Sequence, residues 1–302
     1  MRARALMAFR AAGGGAVALA VLWFATFHIG VVRHVDRSIL IGFADLHRPR
    51  VDTVTNFVAG LCNPRPYLLL VAVPVIVAVL RRRPRHAAGI LAIVLGANLT
   101  TQILKPLLAA PRPHLIVDGF PLTINAASWP SGHATAAMAL CLSAVLAAPS
   151  RWRPRVGALM AVFAIAVCYS FLELTWHFPS DVLGGFMVAS IWGLAGAGVL
   201  FWAEERWPSG HGVGGEGREP VSIASVLRPA GGVVAACGAV VAGVALARPH
   251  AVIGYASGHS AFVLGALAIA VSGLAIAGGA SLALTRGGPG GVGGSGPGGG
   301  QR

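Results

Sequence analysis

Between Lys105 and Asp181, three short polar clusters interrupt an otherwise apolar chain. They read Lys105-x6-Arg112-Pro113, Pro130-Ser131-Gly132-His133 and Ser170-x6-His177-x3-Asp181. Lys105 is the sole lysine in 302 residues, against 22 arginines, in a chain that otherwise writes positive charge as arginine. Two cations, two histidines and a carboxylate are the ingredients of a site that handles phosphate. His177 and Asp181 bracket Pro179, and proline fits the first turn of a helix, so Asp181 falls in that turn with His177 just ahead of it. From there the carboxylate can accept a hydrogen bond from Nδ1 and leave Nε2 unprotonated and nucleophilic. Ser131, Gly132 and His133 open another helix, whose free N–H groups and dipole favour an anion. Gly132 lets the backbone approach a ligand, and Ser131 adds a hydroxyl donor. Lys105 closes an apolar run broken by Pro106 and Pro111, and Arg112 follows in a loop, where both cations can converge on one anion.

Each cluster also has a plainer reading. The cations can snorkel to headgroups, Ser131 can be an ordinary N-cap, and Asp181 can cap its helix beside an interfacial histidine. A metal site from His133, His177 and Asp181 is weak, because fixed cations already serve phosphate and no third histidine has ligand spacing. A serine hydrolase would need a G-x-S-x-G context that Ser131 lacks.

The elements that must position these residues are membrane helices. The chain is 56% apolar and 11% charged, where soluble domains carry about 25% charge, and its mean hydropathy is +0.74. Eight apolar runs approach the roughly 20 residues that cross a bilayer as helix: 11–32, 66–80, 86–105, 133–149, 156–175, 182–202, 230–247 and 260–284. The net charge of +13 does not point to nucleic acid, because the arginines cluster in alternate loops. Arg2, Arg4 and Arg10 precede the first run, Arg81, Arg82, Arg83 and Arg85 follow the second, and Arg151, Arg153 and Arg155 follow the fourth. The positive-inside rule makes those loops and the N-terminus cytoplasmic, which puts all three polar clusters on the outer, periplasmic or extracellular face. Cys62, Cys141, Cys168 and Cys237 show no paired spacing, so neither disulfides nor a zinc site is expected. The first run is too long for a secretory signal core and reads as an uncleaved span.

Taken together and in this order, the clusters resemble the type-2 phosphatidic acid phosphatase family, related to the vanadium haloperoxidases. That family's pattern is K-x6-R-P, then P-S-G-H, then S-R-x5-H-x3-D on a six-span bundle, and the resemblance covers roughly residues 20–202. It implies that His177 attacks phosphorus to form a phosphohistidine, that Asp181 orients that ring, and that His133 protonates the leaving oxygen. Lys105, Arg112, Ser131, the Gly132 amide and Ser170 would hold the phosphate. No cofactor or metal is implied, since cations and amides balance the transition-state charge. One position departs: Phe171 stands where the family has arginine, which puts turnover in doubt.

The expected architecture is all-α: a six-span membrane bundle over 1–203, a flexible cytoplasmic linker over 204–229, two further spans over 230–285 and a disordered glycine-rich tail over 286–302. The expected substrate is a lipid phosphate or polyprenyl diphosphate entering from the bilayer, in a GC-rich bacterium, with no nucleic acid and no obligate protein partner. The alternatives are a head-group transferase on the same site and a non-catalytic lipid-phosphate binder. Arg248-Pro249-His250 and Ser257-Gly258-His259-Ser260 echo the first two clusters, and Arg248 or His259 is a candidate replacement for the lost cation. Pro208-Ser209-Gly210-His211 reads as coincidence, and Glu173 as an interfacial carboxylate.

Overall fold

The computed structural model describes residues 3–112, 115–117, 120–208 and 222–285, with backbone alone for 115–117 and 120–122. The expected tail, most of the linker and the Ser209-Gly210-His211 echo lie outside the described residues. The chain runs α1 (Ala3–His28), α2 (Gly30–Ala44), α3 (Asp52–Gly60), α4 (Pro64–Leu80), α5 (Pro84–Leu107), α6 (Gly132–Ala147), α7 (Arg153–Glu173), α8 (Pro179–Arg206), α9 (Ile223–Ala247), α10 (Pro249–Gly258) and α11 (Ser260–Thr285). Between α5 and α6, β1 (Leu115–Val117) pairs antiparallel with β2 (Phe120–Leu122), Ile116 opposite Pro121. This hairpin is the one β element among the described residues of an otherwise helical bundle.

Six helices are long and apolar enough to cross a membrane: α1, α5, α7 with the turn before it, α8, α9 and α11. α3 and α4 become a seventh span if read as one broken helix, bent by 57° at the break. α6 corresponds to the remaining expected run. Its 16 residues reach about 24 Å at about 1.5 Å per residue, short of a roughly 30 Å hydrocarbon core. The chain is thus a multi-pass membrane protein. The first expected run, 11–32, is corrected: the helix breaks at the extended Ile29, and α2 begins as a separate, half-buried amphipathic helix carrying Arg33, His34, Asp36 and Arg37.

α6 sits at the centre and is buried along nearly its whole length. Lipid tails are as apolar as leucine, so close van der Waals packing of small residues has to hold such a bundle together. The contact between α6 and α8 is a case where backbone meets backbone. A Cβ on Gly185 would lie 2.6 Å from the Ser131 carbonyl oxygen and 2.9 Å from the Thr135 nitrogen. Only glycine allows α8 to approach the start of α6 this closely.

The site residues fall at one end of the bundle, and the Arg81–Arg85 and Arg151–Arg155 clusters at the other. α5 runs from the Arg81–Arg85 cluster to Lys105, α6 runs from Ser131 toward Arg151, and α7 returns to Glu173. At the arginine end, Arg81 donates to the Ala147 carbonyl and Arg153 to the Leu284 carbonyl at 2.8 Å. The C-terminal helices are not detached from the rest. α11 packs on α7 and α2, with Tyr169 donating to the Ala266 carbonyl at 2.5 Å and the Phe262 ring 4.9 Å from Phe43. All four cysteines are free, three of them buried.

Candidate active site

The α7–α8 connection carries the central pair. Thr175, a β-branched residue, sits at φ 57°, a left-handed conformation such residues adopt at a cost of order 1–3 kcal/mol. The turn is closed by Thr175 N–H to the Leu172 carbonyl (3.0 Å) and Trp176 N–H to the Phe171 carbonyl (2.9 Å). It delivers His177 to a buried position just before Pro179 starts α8. Asp181, two residues into α8, is wholly buried. Its Oδ2 accepts from Phe178 N–H at 3.0 Å and faces His177 Nδ1 at 3.3 Å. A carboxylate oxygen accepts, so Nδ1 carries the hydrogen and Nε2 keeps its lone pair. This is the arrangement expected from the four-residue spacing.

Asp181 does more than orient that ring. Its Oδ1 receives an N–H of Arg112, and its backbone carbonyl accepts from Ser131 N–H at 2.9 Å. One residue thus ties the first, second and third clusters together. His133 lies across the pocket with its ring centroid 6.4 Å from that of His177. Its Nε2 is 3.1 Å from Asn63 Oδ1, so that nitrogen carries a hydrogen. Lys105 reaches the start of α6: its Nζ lies 3.5 Å from where a Cβ on Gly132 would be. The Gly132 and His133 amides belong to the first turn, which has no intrahelical acceptor. They face the same end as the ammonium.

Three expected phosphate ligands are placed differently. Arg112 is 4% exposed and committed to Asp181, with Nε donating to Ser128 Oγ at 3.1 Å and the guanidinium stacked over Phe27 and Phe178. Arginine's planar, weakly hydrated group suits such an aromatic sandwich. Ser170 Oγ donates to the Ala166 carbonyl one turn back at 2.9 Å, which occupies it within its own helix. Ser131 Oγ accepts from Ala134 N–H at 3.3 Å as the N-cap of α6, and its own N–H is taken by Asp181. Among the described residues, Lys105 and the amides of Gly132 and His133 are the groups at this end without an assigned hydrogen-bond acceptor.

Phe171 is fully buried, its ring centroid 5.2 Å from His177 and 5.9 Å from His133. An aromatic wall therefore fills the place of the expected arginine. The proposed replacement cations do not reach it. His259 Nε2 pairs with Asp45 Oδ2 at 2.8 Å and its ring stacks on Tyr255, while Arg248 is exposed at the α9–α10 junction.

Sequence reasoning missed four contributors. Asn63 precedes Pro64 at the entry to α4, a position readable only as a turn, yet it holds His133. Asp36 accepts from both Ser180 N–H (2.8 Å) and Ser180 Oγ (2.7 Å), bracing the first turn of α8. Phe27 and Phe178 enclose Arg112. Asp36 was detectable as a charge beside an apolar run. The two phenylalanines gave no signal in a chain this apolar.

Residues 86–205 match the family model of the PAP2 superfamily. Among solved structures, the chain is similar to a transmembrane PAP2 type phosphatidylglycerolphosphate phosphatase from Bacillus subtilis. The two share 22% identity and a TM-score of 0.50, over 66% of this chain and 98% of that one. That likeness bears on the fold. No curated protein matches the chain.

Proposed function

Because residues 86–205 match the PAP2 superfamily model, we propose that the protein is an integral membrane phosphatase acting on a lipid phosphate or diphosphate through a phosphohistidine on His177. The observation that carries this reading is the Asp181 carboxylate against His177 Nδ1 at 3.3 Å, with His133 facing the same pocket. His177 Nε2 attacks phosphorus in line with the leaving oxygen. His133, released from Asn63 and acting as the imidazolium, gives that oxygen a proton as the P–O bond breaks and is left as the neutral imidazole. Water, activated by the same imidazole, then cleaves the P–N bond and frees phosphate. Asp181 steadies the imidazolium that forms and stays ionised, held by three N–H donors. Lys105 and the amides at the start of α6 offset the charge on the phosphoryl oxygens, so the step calls for no metal at phosphorus.

The reading places the pocket on the outer face, since Arg81–Arg85 and Arg151–Arg155 gather at the opposite end. The lipid tail would stay in the bilayer while the head group reaches His177. A second reading is favoured by Phe171 and by Trp176, whose ring centroid is 5.6 Å from His133. An apolar wall around the phosphohistidine hinders water, and an alcohol acceptor would turn the enzyme into a head-group transferase. Phosphate release by detergent-purified protein from a panel of lipid phosphates and diphosphates tests the first reading, with His177→Ala expected to be inactive. A new phospholipid formed only when an alcohol is added would support the second. Binding of vanadate by a protein that turns over nothing would leave a lipid-phosphate binder.

A further inference from the structure

A separate cluster lies where the α2–α3 loop meets the end of α7. His47 follows α2, Asp52 opens α3 and Glu173 closes α7. The imidazole sits between the two acids, with Nδ1 2.9 Å from Glu173 Oε1 and Nε2 3.4 Å from Asp52 Oδ1. One ligand atom from each residue can be chosen so that all three lie within 4.8 Å of one another. Glu173 is 8% exposed, and its Oε2 is buried with no hydrogen-bond partner among the described residues; Asp52 Oδ1 is in the same condition. A buried carboxylate oxygen without a donor is costly; Glu173 Oε1 already meets His47 Nδ1, so it is Oε2 of that buried carboxylate that calls for a cation or a donor.

We propose that His47, Asp52 and Glu173 form a binding site for a divalent transition-metal ion, with zinc as the best fit. An imidazole with two carboxylates suits zinc or manganese, whereas magnesium and calcium prefer oxygen alone. Tetrahedral ligands about 2.0–2.1 Å from zinc stand roughly 3.4 Å apart, so the cluster must tighten by about an ångström. His47 is exposed on a loop and can make that movement. Three protein ligands leave a fourth position for water.

The ion would act as a clamp and not as a phosphoryl ligand. Asp52 begins the helix that leads to Asn63, the partner of His133. Glu173 stands two residues after Phe171 and four before His177. An ion here would join the supports of both histidines across the outer end of the bundle.

The test is zinc titration of tag-free, chelator-stripped, full-length protein in detergent, followed by calorimetry and thermal melting. The expected result is one zinc ion per chain, a higher melting temperature with zinc, and little response to magnesium. Glu173→Gln and the surface change His47→Ala should each weaken binding at least about tenfold and abolish the melting shift. His177→Ala should bind zinc as the wild type does, which separates this site from the proposed phosphatase chemistry. The proposal fails if the wild type takes up no zinc or if His47→Ala binds as tightly. It also fails if His177→Ala loses the ion, since the metal would then belong to the phosphoryl pocket.

Discussion

Arg112 and Asp181, 69 residues apart, form an ion pair with almost no solvent contact. The guanidinium lies over the rings of Phe27 and Phe178, and the carboxylate passes the constraint on to His177. Removing one partner of a buried pair leaves the other charge stranded, at about 3–5 kcal/mol. Arg112→Ala is therefore expected to lower the melting temperature sharply and to reduce kcat, because Asp181 loses its anchor. Arg112→Lys should recover little of either, since an ammonium cannot stack or fork in this slot. A melting curve beside kcat and KM for each variant checks this. If Arg112 only gripped substrate, KM would rise while the fold stayed intact.

Phe171 sets the cation content of the pocket. An arginine in its place would sit beside both histidines with no acceptor until an anion arrives. Phe171→Arg is expected to melt at a lower temperature without ligand and to bind orthovanadate, a phosphate mimic, about tenfold or more tighter. One charge-assisted hydrogen bond contributes about 1.5–3 kcal/mol. Inhibition constants for vanadate in the two proteins decide the matter.

Asp36 lends the protein a pH dependence. Burial pushes its carboxyl up to about 7 from an ordinary value of 3.8, against the lowering effect of the Ser180 hydroxyl. A raised acid binds more protons folded than unfolded between those two values, so its contribution is complete below 3.8. That contribution is lost as pH climbs to about 7. Asp36→Asn should flatten this slope, on the order of a few kcal/mol over the range. Melting temperatures of the two proteins across that range should converge at low pH and separate at neutral pH.

His259 pairs with Asp45 and packs on Tyr255, on the α2 side of the bundle. His259→Ala should accordingly leave kcat/KM within about twofold and cost about 1 kcal/mol of stability or less, as a partly exposed pair warrants. A large loss of turnover with unchanged melting would instead return this residue to the active site.

How much of this was legible in the sequence depended on range. The helical membrane bundle and the His177–Asp181 pair follow from local rules: apolar run length, a proline at a helix start and a four-residue spacing. The partners of Arg112 and Ser170 do not. Whether a guanidinium faces phosphate or a carboxylate is decided by the approach of α1 and α8, and Ser170 had a helix carbonyl within reach that spacing alone cannot rank. Asn63 holding His133 depends on the bend between α3 and α4. α2 was hidden because its apolar face blends into the run before it, and only the break at Ile29 separates them.

The central claim is that His177 becomes covalently phosphorylated. Rapid quenching of the enzyme with a lipid phosphate under alkaline conditions, then peptide mass spectrometry, tests it most directly. The expected result is a phosphoryl adduct on His177 that is absent from His177→Ala and accumulates in His133→Ala when the substrate has a good leaving group. Full phosphate release by His177→Ala, or an adduct on another residue, would contradict it.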